Sequence, residues 1–220
     1  MKRSTSTINL IFITSIFILA CSSASLPSLA TATPQTIITV PPMPTEFITQ
    51  PQTGTTQTGS GLENENLLAE LPEGFKVDYQ AEQGNQTITE MVAEGESVEA
   101  WTTMVTVQVY LSETNITPQQ AQDTLTNDWF NACENSESYP VADGAENGYD
   151  FILWQLYCPL NSSTQKPELT YLKAIQGNDS FYLVQVAFRY EPSDEDITQW
   201  IQYLKQVQVC DSRIPERACP

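Results

Sequence analysis

Four glutamates, Glu90, Glu94, Glu96 and Glu99, crowd the approach to Trp101. A pair of carboxylates is enough for a retaining or inverting glycosidase. A small carboxylate-dependent glycan hydrolase is therefore one function to hold open. Nothing in the spacing shows which two acids would share a cleft, and glutamates of a solvated loop have the same spacing. Other catalytic signatures are missing. The chain has no histidine. It cannot form a Ser-His-Asp triad, a Cys-His pair or an H-E-x-x-H zinc site. No G-x-x-x-x-G-K-[ST] or G-x-G-x-x-G run offers a phosphate cradle, and no EF-hand loop is present. The expectation is a non-enzyme without a cofactor or metal. Glu96, Glu99 and Trp101 are kept as a candidate binding surface.

The five cysteines carry the next chemistry. Cys21 closes an N-terminal apolar run, and Cys133, Cys158, Cys210 and Cys219 remain. An even number outside the cytoplasm reads as a disulfide framework, with three possible pairings for four cysteines. The favoured one is Cys133–Cys158 with Cys210–Cys219. The first bond would tie a helix end to a strand, and the second would fold the short tail back on itself. Zinc is disfavoured, because no CxxC pair and no histidine is available.

Export is the premise of that framework. Lys2 and Arg3 precede the apolar stretches Leu10–Ile13 and Ile16–Leu19, the layout of a secretory signal peptide. The run is short for a bilayer span, which wants about 20 apolar residues. Ile18-Leu19-Ala20-Cys21 resembles the lipobox of bacterial lipoproteins. The resemblance implies cleavage before Cys21 and lipid on its sulfur, with Ile18 and Leu19 departing from the usual order. Ser22 after the cysteine is similar to the outer-membrane sorting pattern of diderm bacteria, whose lipoproteins then face the periplasm. The alternative is a secreted soluble protein cut after Ala30, where Ser28-Leu29-Ala30 offers small residues.

Composition divides the rest. Residues 21–61 are rich in Ser, Thr, Pro, Gln and Gly, with Glu46 as their one charge. Such a segment buries too little to offset its ordering entropy, so the expectation is a flexible tether spanning about 35 Å. Residues 62–220 are expected to form a single globular domain. Of the 27 acidic residues all but Glu46 lie there, whereas two of the nine basic ones, Lys2 and Arg3, do not. So acidic a surface repels nucleic acid, and a basic partner suits it better.

The elements of the domain follow from alternation and caps. Phe75–Tyr79, Thr87–Val92 and Trp101–Leu111 alternate as strands, with Val105, Val107 and Val109 on one side and Thr106, Gln108 and Tyr110 on the other. Thr117, Pro118 and Gln120 mark a helix start, and Ala121, Leu125, Trp129 and Ala132 are its apolar face, ending near Cys133. A loop containing Gly144 and Gly148 is expected next. Three strands follow, Phe151–Cys158, Leu169–Ile175 and Phe181–Tyr190. A hairpin at Gln176-Gly177-Asn178-Asp179 joins the last two, where Gly and Asn accept positive φ. Ser193 caps a second helix whose stripe is Ile197, Trp200, Ile201 and Leu204, and Gln206–Cys210 is a short closing strand. Lys173 and Arg189 are expected at the sheet rim, paired with acids. The fold class is α+β, a curved antiparallel sheet with two main helices packed on it.

This order of elements resembles the PsbP/Mog1-type α/β/α sandwich over most of residues 70–210. That family is mostly non-catalytic and assists larger assemblies, so a binding or assisting role is implied by analogy alone. The run Gly95-Glu96-Ser97-Val98-Glu99-Ala100-Trp101-Thr102-Thr103-Met104-Val105-Thr106-Val107-Gln108 resembles a GESVExWTxMVTVQ-like motif of uncharacterised exported bacterial lipoproteins. Phe188-Arg189-Tyr190-Glu191-Pro192-Ser193 is similar to a second segment of the same proteins. The combined expectation is a non-catalytic, membrane-tethered envelope protein that binds another envelope protein, with the membrane engaged through N-terminal lipid.

Overall fold

Alternation along the strands builds a seven-stranded antiparallel sheet in the order β2-β3-β4-β8-β7-β6-β5. The computed structural model describes residues 62–220. The signal peptide, Cys21 and its lipid, the alternative cut at Ala30 and the tether all lie outside the described residues. The strands of the sheet are β2 (Phe75–Gln83), β3 (Gln86–Ala93), β4 (Thr103–Leu111), β5 (Glu137–Glu146), β6 (Tyr149–Cys158), β7 (Glu168–Gln176) and β8 (Ser180–Phe188). A separate two-stranded ribbon pairs β1 (Glu65–Leu68) with β9 (Gln208–Asp211). The helices are α1 (Pro118–Ala132) and α2 (Asp194–Gln206). The architecture is α+β, with two helices packed on a large antiparallel sheet.

Both helix starts are closed by reciprocal bonds. The Thr117 hydroxyl accepts from the Gln120 backbone N–H at 3.2 Å, and the Gln120 side-chain oxygen accepts from the Thr117 N–H at 2.9 Å. Ser193 and Asp196 do the same for α2, whose first turn carries Asp194, Glu195 and Asp196 and whose last carries Lys205. Each cap satisfies donors that the helix leaves unpaired, and is worth about 1 kcal/mol. The acids and the lysine also suit the helix dipole.

The helices take opposite faces. Cys133, the C-cap of α1, is bonded to Cys158 of β6, so Cys158, Leu156 and Trp154 face α1. On the other face Trp200 of α2 meets Phe188 and Phe75 edge-on, with centroids 6.4 and 5.2 Å away. The main core lies there, around Val105, Val184, Val186, Phe188 and Leu204. The second disulfide joins Cys210 to Cys219 beyond β9.

Several expectations change. The stretch expected as a Gly-containing loop is mostly β5, an edge strand with a register shift between Pro140 and Ala142. An edge tolerates a proline, because one side of its backbone needs no partner. β1 had no sequence signal. Neither Gly177 nor Asn178 has positive φ. Gly177 is needed for room instead, since a Cβ there would stand 2.1 Å from a Glu65 carboxylate oxygen. Of the expected α1 face, Ala121, Leu125 and Trp129 are half-buried and Ala132 is exposed.

Lys173 is not at a rim. It sits in the core of the α2 face, fully buried. Its ammonium donates to the carbonyls of Leu204 at 3.0 Å and Val207 at 2.7 Å, pairs with Glu146, and lies 4.8 Å from the Phe151 ring centroid. It therefore caps the C-terminal end of α2 from beneath. Burial pulls its pKa down, and the Glu146 carboxylate opposes that.

Candidate functional site

Alternation places the side chains of β4 as expected, yet burial runs against polarity. Thr106 and Gln108 are 4% exposed and Tyr110 is 7% exposed. Val107 and Val109, on the α2 face, are only half-buried. Gln108 and Tyr110 bond to each other and to Gln86 of β3. The Gln86 amide donates to Gln108 Oε1 at 3.0 Å and to the Tyr110 hydroxyl at 3.2 Å, and Tyr110 donates to Gln108. Burial pushes the Tyr110 pKa up to about 12.

The half-open valines belong to a groove. Register pairs Met91 with Val105, Thr89 with Val107 and Thr87 with Val109 across β3 and β4. Thr87, Thr89, Met91, Val107 and Val109 floor an open groove of about 470 Å³, walled by Glu65, Asn66, Leu67 and Ala69. Leu71, Val77 and Leu111 at its rim are 51%, 44% and 47% exposed. Large apolar side chains left this open around one groove are the surface feature that asks for an explanation.

The wall is rigidly held. Both Glu65 oxygens accept bonds from the β7–β8 turn: from the N–H groups of Asn178 at 2.6 Å, Asp179 at 3.1 Å and Ser180 at 3.2 Å. The Tyr182 hydroxyl adds a fourth bond at 3.0 Å. Arg213 bridges Asp179 at 2.6 Å and Asp211 at 2.7 Å. The Asn147 amide donates to the Val209 carbonyl at 2.8 Å. Asp211 has its pKa lowered, mainly by its bond to Arg213.

A second groove, about 610 Å³, lies on the other side of the same segment, between Pro72–Phe75 and α2. Trp200 and Tyr203 form its aromatic back, and the Tyr203 hydroxyl donates to the Glu70 carbonyl at 2.9 Å. Burial, with Glu70 nearby, raises the Tyr203 pKa to about 12.

The glutamates singled out by sequence have different surroundings. Glu90 lies within β3, opposite Thr106, and burial raises its pKa. Glu94, Glu96 and Glu99 follow the strand, in the segment that leads to β4. Glu96 is occupied, accepting from the Thr102 N–H at 3.0 Å and hydroxyl at 2.7 Å. Glu99 is exposed. Trp101 is 6% exposed, packed with Val92 and Ala187, and covered by the Arg189 guanidinium at 3.8 Å from its ring centroid. Arg189 also feels Glu168, whose pKa is raised chiefly by burial. No cluster of three or more metal-ligating side chains occurs among the described residues. Nor, among them, is any helix long and apolar enough to cross a membrane.

Sequence reasoning missed the groove. Its signal was the Val105-x-Val107-x-Val109 row, which reads identically whether a helix covers it or not.

No protein-family model matches the chain, and no curated protein matches it. Among solved structures, it is similar to the Ran-binding protein Mog1p of Saccharomyces cerevisiae. The identity is 13% and the TM-score 0.36, covering 64% of this chain and 85% of that one. It is similar to cyanobacterial PsbP (CyanoP) from Synechocystis, at 8% identity and a TM-score of 0.43, covering 70% and 98% respectively. It is also similar to LpqN of Mycobacterium tuberculosis, described as involved in cell envelope biogenesis. There the identity is 7% and the TM-score 0.33, covering 70% and 85%.

Proposed function

We propose that this chain is a non-catalytic envelope protein that binds a protein partner in the groove over β3 and β4. In this reading residues 1–20 direct export, Cys21 carries the lipid, and residues 21–61 tether the domain to the membrane. The observation that carries it is the groove's exposed apolar rim of Leu71, Val77 and Leu111 beside half-open Val107 and Val109. Leaving such side chains in water forgoes roughly 25 cal/mol per Å² of apolar surface, which a partner would recover. The two disulfides suit an oxidising compartment outside the cytoplasm. The glycosidase reading gains no support, because Glu96 is engaged by Thr102 and burial is what raises the pKa of Glu90.

The test is photo-crosslinking of the full chain in intact cells of its host, with a benzophenone amino acid at position 109. The expected result is one dominant protein adduct, absent when the probe stands at exposed Tyr139 on the far edge strand. Equal labelling from both positions, or none from either, would overturn the docking site. Fatty-acid labelling tests the anchor separately. An unlabelled mature protein beginning at Thr31 would replace the tethered protein with a secreted one.

A further inference from the structure

The wall of the groove is a strand with one side unpaired. The Ser212 N–H donates to the Asn64 carbonyl at 3.0 Å, which sets the phase of the β1–β9 ladder. Hydrogen-bonded pairs alternate in an antiparallel ribbon. Asn66 and Cys210, then Leu68 and Gln208, are therefore the next bonded pairs. The N–H and C=O groups of Glu65 and Leu67 point away from β9. The groove runs along that side, since Glu65, Asn66, Leu67 and Ala69 line it and no β9 residue does. Within the described residues β1 pairs with β9 alone.

We infer that the groove takes an extended peptide segment of its partner, added as a third strand alongside β1. The inference rests on the docking reading above and names the chemistry of the occupant. Three features select it. Unpaired backbone groups are met by another backbone, as in strand addition to an open edge. An acyl chain would cover the same N–H and C=O groups and leave them dry, at the cost of an unmade hydrogen bond for each. The floor of Thr89, Met91, Val107 and Val109 wants apolar side chains at every second position.

Length and charge narrow it further. β1 is four residues long, so a segment of about four or five residues matches the free edge at about 3.3 Å per residue. The lone charged residue lining the groove, Glu65, already accepts four hydrogen bonds. The segment itself is therefore uncharged. Its flanks are basic, because the surrounding domain is strongly acidic and excludes acidic sequences.

The experiment uses the purified full chain and a panel of fluorescent heptapeptides. Each has Lys at both ends, Thr at alternate positions, and Val, Ile or Phe between them. Binding is read by anisotropy, with laurate as competitor and sedimentation of the chain alone in parallel. At least one peptide is expected to bind in the micromolar range. Methylating one backbone nitrogen that faces β1 removes a hydrogen bond and keeps every side chain, and should weaken binding about tenfold. Val109→Ser and Val77→Ser, checked for folding by circular dichroism, should weaken it as well.

Three outcomes would overturn strand addition: no peptide binding below about 1 mM, equal binding of the methylated peptide, or laurate occupying the groove in place of peptide. A concentration-dependent dimer that Val109→Ser abolishes would do the same, by assigning the edge to a second copy. If crosslinking at position 109 still recovers a partner in any of these cases, docking stands and strand addition alone fails. If the crosslink is lost, the docking site fails first.

Discussion

The two ends of one sheet face start from the same kind of strand and are finished differently. At one end α2 lies across the sheet, with Trp200 on Phe75 and Phe188, and Lys173 reaching up to the Leu204 and Val207 carbonyls. At the other end the same valine rows run on under a short strand that covers them only in part. Val105 is fully buried at the first end, while Val107 and Val109 are half-open at the second. The difference teaches that burial here is set by which element crosses overhead. The alternating pattern supplies an apolar face, and the crossing element decides whether it becomes core or groove.

If that contrast is right, damage at the closed end is costly and damage at the open end is cheap. Lys173→Ala should have the largest effect. It leaves the Glu146 carboxylate and two buried carbonyls without their cation, and should destabilise by about 3–5 kcal/mol in urea unfolding. Lys173→Met, which fills the space and supplies no donor, should recover part of that loss. A Lys173→Ala protein as stable as the parent would mean that the lysine does not hold α2 to the sheet.

Next in size is the covalent tie on the opposite face. Replacing Cys133 and Cys158 together by serine opens a loop whose ends are 25 residues apart. The expected cost is about 3 kcal/mol. Because this bond fixes α1 and not the groove wall, peptide binding at the groove should persist at temperatures where the variant is folded.

The pH response should separate the carboxylates by surroundings. Asp211 has a lowered pKa, so its contribution is complete above the ordinary value of 3.8 and is lost as pH falls through the lower folded value. Asp78 behaves alike, held down by its bonds to Lys76 and to the Val98 N–H. Glu90 and Glu168 are raised by burial, so for them stability increases as pH falls toward the ordinary 4.5. Thermal unfolding should therefore show a flat or slightly rising midpoint from pH 7 to about 4.5, then a steep loss below about 3.8. Glu90→Gln should remove part of the rise without loss of stability at pH 7.

The smallest effect on stability is expected at the groove rim. Val77 is 44% exposed, so Val77→Ser should change unfolding free energy by no more than about 0.5 kcal/mol. The same change should reduce partner crosslinking at position 109. A large stability loss with unchanged crosslinking would make the rim part of the core and remove the contrast.

Local chemistry was legible in the chain. The Thr117–Gln120 box, the Ser193 cap and the stripe from Ile197 to Leu204 are signals carried within a few residues, and each helix stands where they put it. Strands with strong alternation were legible to within a few residues for the same reason. β5 was not, because Pro140 and Gly144 are poor strand formers that an edge position alone excuses. β1 was not, because four residues carry too little periodicity and are held by partners more than a hundred positions away.

What the sequence by itself determined is the class of the molecule: α+β, acidic, with cysteines suited to export and without the residues of the common catalytic triads. What the tertiary structure decided is where that face stays open. Whether Val109 meets a helix or water depends on the path of residues 65–71 across the sheet. That path is set by the Glu65 clamp on the Asn178–Ser180 turn and by the pairing of β1 with β9. Contacts between residues so distant in the chain arise from packing, which no short window of sequence contains.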